Sequence, residues 1–421
     1  MKVLAALWDG GGTVPAELGV VRRLRERGHD VTVLADPPLE PGATRVGAAY
    51  RCWTRAPFRR TDAREDDCFR DWECRTPLGQ FTRVRDRLVT GPAAAFAADV
   101  REQLAAEPVD AAVVSGVLLG ALAGAESEGV PTAALCPNVY SRPAPGVPPL
   151  GMGLQPARGP VGRVRDAVLN GLVSRLWNGG LADLNAARAG IGLDPLQDVW
   201  QSWDRAARVL VLTDPAFDLP ARLPENVRCT GTLPDDPPWV QPYRPPAGDA
   251  PLVVANLSSV YARGQEDVLR RIVEALGSLP VRGVVTTGPA VDPAAFAGAP
   301  GVDVVRSAPH AELFPRAAAV VTHAGHSTLL KALAAGVPVL CLPMGRDQHD
   351  NVVRAARHGA ALGLRRSASP AAIAAGVRRL LEEPAFGRAA RAFGEGVRAR
   401  AASPLLLEEL ESLPRHARRA A

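Results

Sequence analysis

Lysine is nearly absent: Lys2 and Lys331 stand alone, and arginine supplies the rest of the 49 basic residues. Against 44 acids this leaves a formal charge of only +5, with no run of like charge in the body of the chain. A nucleic-acid binder needs a concentrated basic face, and only the short tail RHARRAA offers one, so no nucleic-acid partner is expected. Cysteine is sparse too. Residues 52, 68, 74, 136, 229 and 341 contain no pair spaced for a zinc site or a redox CxxC, which points to a reduced, cytoplasmic protein. Long apolar runs are missing. The opening VLAALW is cut by Asp9, too short for the core of a signal peptide, and the longest uncharged stretch, 111–125, is interrupted by three glycines. No membrane span is expected. Aromatic residues are few, and all seven tryptophans lie before residue 251.

What is present is enough apolar residue, 47%, for a large core, over a length of 421 that suits two or three domains. KVLAALW, DGGGTV, PAELGVVRRLRERG and HDVTVLAD read in turn as buried strand, turn, helix and strand. Pro15 suits the first turn of that helix and Gly28 its end. The same grammar returns in DAAVVSG…AESEGVPTAALC and in PLVVANLSS…VRGVVTTG. Strands alternating with helices predict doubly wound parallel sheets, an α/β fold. The segment PDDPPWVQPYRPPAGDAP, 234–251, has seven prolines and reads as a stiff linker. The expected division is 1–235, a 236–250 linker and 251–402, with a helix over 403–421 packing back on the first half.

The stretch VVTHAGHSTLLKALAAGVPVLCLPMGRDQHDN, 320–351, reads as strand, turn, helix and strand. Its turn delivers His323, Gly325, Ser327 and Thr328 to the carboxyl edge of a parallel sheet and the start of a helix. α/β proteins bind ligands there, and free N–H groups with the helix dipole favour an anion. Gly325 would admit a phosphate to the backbone, with the hydroxyls and His323 donating hydrogen bonds. Helix capping would explain one hydroxyl, but not the histidine and glycine before it. Asp347 and Gln348 follow the next strand and together offer acceptors and donors for vicinal sugar hydroxyls; a solvated loop opening a helix over 349–358 is the alternative.

The segment THAGHSTLLKALAAGVPVLCLPMGRDQHDNVVRAARHGAALGL resembles the donor signature of family-one glycosyltransferases of the GT-B fold, in the bacterial branch that decorates macrolide-like and aromatic natural products. SAPHAELFPRAAAVV resembles that family's base-binding segment, NLSS its strand-end loop, and RGHDVTVL its first helix–strand junction. The resemblance implies two Rossmann-like domains facing a cleft, acceptor in the first and nucleotide sugar in the second. It implies that His323, Gly325, Ser327 and Thr328 hold the donor diphosphate, with His326 near them and Ser258 and Ser259 alongside. Asp347 and Gln348 would hold the sugar. Ser307, Pro309 and His310 would border the base, with Ser307 where an aromatic is usual. The implied reaction is inverting transfer from a UDP- or dTDP-sugar to a bulky small molecule by a monomer or homodimer, with no metal and no further cofactor.

The amino half departs from the family's pattern. The base expected before Pro15 is missing: Gly11, Gly12 and Thr13 form the loop, and Gly12 stands at the base position. Ser115 stands where an orienting acid is expected. Asp9 on the same loop is a candidate displaced base, or a cap for the glycines that follow it. Alternatively the acceptor needs little help, or the chain is a catalytically silent GT-B protein that binds sugar nucleotide as a partner or activator. DGGGTVP also suggests a dinucleotide fingerprint, but Pro15 replaces its third glycine. Together Tyr50, Trp53, Phe58, Phe69, Trp72, Phe81 and Tyr140 favour a bulky, partly aromatic acceptor; for any single one of them, packing its loop down is the expected role.

Overall fold

The computed structural model describes residues 1–237, 240–296 and 298–414. The tail RHARRAA, with His416, and two residues of the expected linker lie outside them. The chain forms two compact units: Met1–Pro149, Pro156–Leu233 and the described residues from Ser403 on make one, and Leu150–Gln155 with Pro234–Ala402 the other.

The first unit is built on seven strands, β1 (Lys2–Ala6), β2 (Asp30–Ala35), β3 (Ala49–Cys52), β4 (Ala111–Ser115), β5 (Thr132–Cys136), β6 (Arg208–Val211) and β7 (Val227–Cys229). They run in the order β3-β2-β1-β4-β5-β6-β7, every pair parallel. The second has six: β8 (Leu252–Asn256), β9 (Arg282–Thr286), β10 (Val302–Val305), β11 (Ala319–Thr322), β12 (Val339–Cys341) and β13 (Ala361–Gly363), in the order β10-β9-β8-β11-β12-β13. These pairs are parallel as well. The α/β class expected from the sequence is the one observed, and the pattern explains it: β4, β5 and β8 are buried at every residue, as strands covered on both faces must be.

Each order reverses direction once, between β1 and β4 in the first sheet and between β8 and β11 in the second. A parallel α/β sheet opens a crevice at the carboxyl ends of its strands at such a point. The loop after β1 opens at the first reversal and the loops after β8 and β11 at the second. The helix Leu405–Glu411 belongs to the first unit: Glu409 pairs with Arg208 at 2.5 Å and Arg228 at 3.2 Å, and Glu411 with His29 at 3.0 Å.

Several of the aromatics pack against other rings, as expected of each taken singly. Trp53 is 2% exposed, meets Phe96 edge-on at 5.0 Å and donates its indole N–H to the Leu7 carbonyl. Phe81, Trp177, Trp200, Trp203 and Tyr140 form a continuous file with neighbouring ring centres 4.6–5.9 Å apart. Large rings carry the most apolar area per residue, and burying them leaves less for lining a pocket.

Candidate functional site

In the second unit β11 ends at Thr322, and three residues carry the chain into the helix His326–Ala334. Ala324 takes a left-handed φ of 66°, an uncommon conformation for a residue with a Cβ. His323 is buried, with Nδ1 3.3 Å from the Thr322 hydroxyl. Burial, with Arg346 adding to it, brings its imidazole down to about 4, so it is neutral at pH 7 and carries a single N–H to donate. Gly325 is the N-cap and has no side chain to cap with, so Ser327 and Thr328 enter the first turn rather than close the helix. Thr328 Oγ1 accepts from Asn256 Nδ2 at 3.1 Å, tying the turn to the end of β8.

The glycine has a second reason beyond a phosphate's approach. A Cβ on Gly325 would lie 2.6 Å from His323 Nε2, inside any real contact. The absent side chain makes room for the imidazole.

Asp347 precedes the helix Gln348–Arg357, which starts one residue earlier than expected. Asn351 on that helix is fully buried and donates from Nδ2 to the Ala324 carbonyl at 3.0 Å and to Asp347 Oδ2 at 2.9 Å. One amide therefore joins the His323 turn to the acid. Burial raises the Asp347 carboxyl, opposed by Asn351 and by Arg346 and Arg354. Gln348 turns its Oε1 to the N–H groups of Met344 and Gly345, at 2.7 and 3.1 Å, and so braces the loop after β12. Asp350 accepts from Gly151 N at 2.7 Å and Gly153 N at 3.3 Å, gripping the 150–155 segment. Asn351 and Asp350 escaped the sequence reading, because each partners a residue that spacing does not bring near.

Ser258 and Ser259 follow β8, with the Ser258 carbonyl receiving Gln265 Nε2 at 2.7 Å. Ser307, Pro309 and His310 follow β10, three strand spacings from β11, or about 14 Å across the sheet. They are tied to the linker side. Ser307 Oγ accepts from Gln241 N at 3.2 Å, and Asp236 joins Ala311 N and Lys331 Nζ at 3.1 and 3.2 Å. His310 stacks on Phe314 at 4.6 Å, and burial next to Lys331 brings it down to about 4.

In the first unit, Asp9 is nearly fully engaged. Its Oδ1 accepts from Gly11 N at 2.9 Å, its Oδ2 faces Arg59 Nη1 at 3.3 Å, and its own N–H donates to Asp36 Oδ2 at 2.8 Å. Gly11 needs its glycine, at φ 65°, whereas a Cβ at Gly12 would meet nothing within 4 Å. Thr13 caps the Val14–Glu26 helix without a side-chain hydrogen bond. Ser115 Oγ donates to Glu17 Oε1 in the interior. Nothing in the sequence singles out Glu17.

Comparisons with known proteins bear on both units. Residues 195–395 match the family model described as "UDP-glucoronosyl and UDP-glucosyl transferase". The 4'-demethylrebeccamycin synthase of Lentzea aerocolonigenes is 28% identical over 91% of this chain and 93% of its own length. The O-mycaminosyltylonolide 6-deoxyallosyltransferase of Streptomyces fradiae is 26% identical over 95% and 94%. Among solved structures, the kitacinnamycin glycosyltransferase superposes with a TM-score of 0.75 at 20% identity over 98% of both chains. VinC in complex with dTDP gives 0.70 at 18% identity over the whole of both. The fold is GT-B, residues 195–395 match that transferase family, and the chain is a nucleotide-sugar-dependent glycosyltransferase.

Proposed function

We propose that this enzyme moves a sugar from a dTDP- or UDP-sugar to a bulky natural-product acceptor with inversion at the anomeric carbon. The observation that carries the reading is the His323–Thr328 turn: a neutral imidazole and a helix start with no side-chain cap, at the carboxyl edge of a parallel sheet where its strand order reverses. A diphosphate departing with its electron pair gains negative charge in the transition state, and donors fixed in advance meet that charge best. Ser327 and Thr328 add hydroxyls, His326 stands in the same first turn, and Ser258 and Ser259 border the phosphates. Asp347 and Gln348 take the sugar side, with Asn351 holding the acid in place. Ser307, Pro309 and His310 take the base side. The thymidine nucleotide is favoured because a structure of the same fold was solved with dTDP, and the natural-product acceptor because the relatives matching over most of their length are named for such products. His323→Ala tests the reading: transfer is expected to fall ~10²–10³-fold with the melting temperature nearly unchanged, and wild-type turnover would end it.

A silent sugar-nucleotide-binding protein is the second reading, favoured only by Gly12 and Ser115. Release of nucleoside diphosphate from dTDP-glucose or UDP-glucose, slow but dependent on His323, separates an enzyme from a binding partner.

A further inference from the structure

Glu17 lies in the first turn of the Val14–Glu26 helix, at the strand-order reversal of the first sheet, and is fully buried. Its Oε1 takes the Ser115 hydrogen bond, and its Oε2 has no partner among the described residues. Thr13 Oγ1 is also buried without one. Residues four apart share a helix face, so an unfilled hydroxyl and an unfilled carboxylate oxygen stand one turn apart. Buried polar atoms are rarely left open, and two on one face mark a place for a hydroxyl or a proton in transit. Above Thr13 the loop residue Gly12 is exposed and leaves space that a side chain would fill.

The charges around Glu17 come from three other segments: Asp9 on the loop after β1, Asp36 at the end of β2, and Arg59, paired with Asp9 at 3.3 Å. Ser115 at the end of β4 is uncharged. Three acids thus cluster here, and the Arg59 guanidinium pairs with Asp9. Burial chiefly, then the charges of Asp36 and Asp9, push Glu17 up to about 8, with Ser115 pulling the other way. A base whose pKa lies near the working pH transfers protons most effectively.

We propose that Glu17, oriented by Ser115, takes up the proton of the sugar acceptor through the hydroxyl of Thr13. This rests on the transferase reading above. The acceptor O–H breaks and its proton passes to Thr13 Oγ1 as the Thr13 proton passes to Glu17 Oε2 through one water, since the two atoms make no direct hydrogen bond. The freed oxygen bonds to the anomeric carbon, and the bond from that carbon to the diphosphate breaks, its electron pair leaving with the nucleoside diphosphate. Glu17 starts as a carboxylate and ends neutral. Asp9, held by Gly11 and Arg59, is left to shape the loop.

The test uses the full chain, dTDP-glucose, and two phenols: an unactivated one and a nitrophenol that is already anionic at neutral pH. Glu17→Gln is expected to lower kcat ~100-fold on the unactivated phenol, with KM little changed, and to leave the nitrophenol rate within a few-fold, since an anion needs no base. Thr13→Val should reproduce that contrast. In wild type the infrared carbonyl band of a protonated carboxyl should vanish as pH rises through about 8, and Glu17→Gln should lack it. Equal losses on both phenols, or no loss on either, would overturn the role of Glu17 while dTDP binding by calorimetry keeps the transferase reading intact. Failure of wild type to bind dTDP or UDP would overturn both.

Discussion

Gly325→Ala is the sharpest probe of the donor turn. The backbone tolerates it, since φ is −59°. The new Cβ would stand 2.6 Å from His323 Nε2 and 2.9 Å from Cε1. A normal contact there is about 3.4 Å or more, so the imidazole must retreat by roughly 0.8 Å or rotate away. Misplacing a catalytic group by about 1 Å can cost ~10²-fold, and a hundredfold loss corresponds to about 2.7 kcal/mol of transition-state stabilisation. Stability should move far less, by about 1 kcal/mol or below, because glycine and alanine differ modestly at a helix cap. The assay is initial-rate transfer from dTDP-glucose beside a thermal melt. The decisive arm is the double variant with His323→Ala. If the methyl acts by displacing the ring, it does no further harm once the ring is gone, and the two losses do not add. Full additivity, or a wild-type rate in Gly325→Ala, would refute the assignment of that glycine to the histidine.

Asn351→Leu should lower stability by about 1–3 kcal/mol, read by denaturant melts, because the Ala324 carbonyl and Asp347 lose a buried donor; it should also raise KM for the donor, and unchanged KM would separate Asp347 from the sugar. Asp9→Asn should destabilise by about 3–5 kcal/mol, since it strands the Arg59 guanidinium in the interior. Its pH–rate profile should keep the wild-type inflection, and loss of that inflection would restore Asp9 as the base. Glu17 binds its proton more tightly folded than unfolded, with a pKa of about 8 against 4.5, so its stabilisation is full below pH 4.5 and is lost as pH rises through about 8. Asp36, raised to about 7 mainly by burial, adds a slope of the same sign. Melting temperatures of Glu17→Gln should therefore fall less between pH 5 and 9 than those of wild type, and parallel curves would contradict the buried proton.

The donor turn was legible because its meaning is local. A buried strand, a short polar turn and a helix with Gly336 as its stop fit within one window, and the structure draws them as β11 and the His326–Ala334 helix. What escaped the sequence depends on distant segments. Glu17 meets Ser115 across 98 residues, and Asp350 meets Gly151 across 199. Nothing in the spacing PAEL separates a surface acid from one whose partner arrives on another strand. The aromatics were ambiguous for a related reason: a mixed aromatic and charged stretch reads equally as pocket lining or as packing for its loops, and only the fold shows Trp53 and Phe69 turned inward.

The path of the chain also sets how the molecule can be divided. It passes from one compact unit to the other after Pro149, Gln155, Leu233 and Ala402. A protease cut in the proline-rich stretch after Leu233 would part the chain into two pieces with no covalent link, each carrying segments of both units. Fragment 1–233 ends before the helix whose Glu409 and Glu411 clasp Arg208 and His29. Fragment 234–402 leaves Asp350 without the two glycine amides it holds. Exchanging the second unit between relatives would therefore need two grafts, 150–155 and 234–402, and exchanging the first would need three.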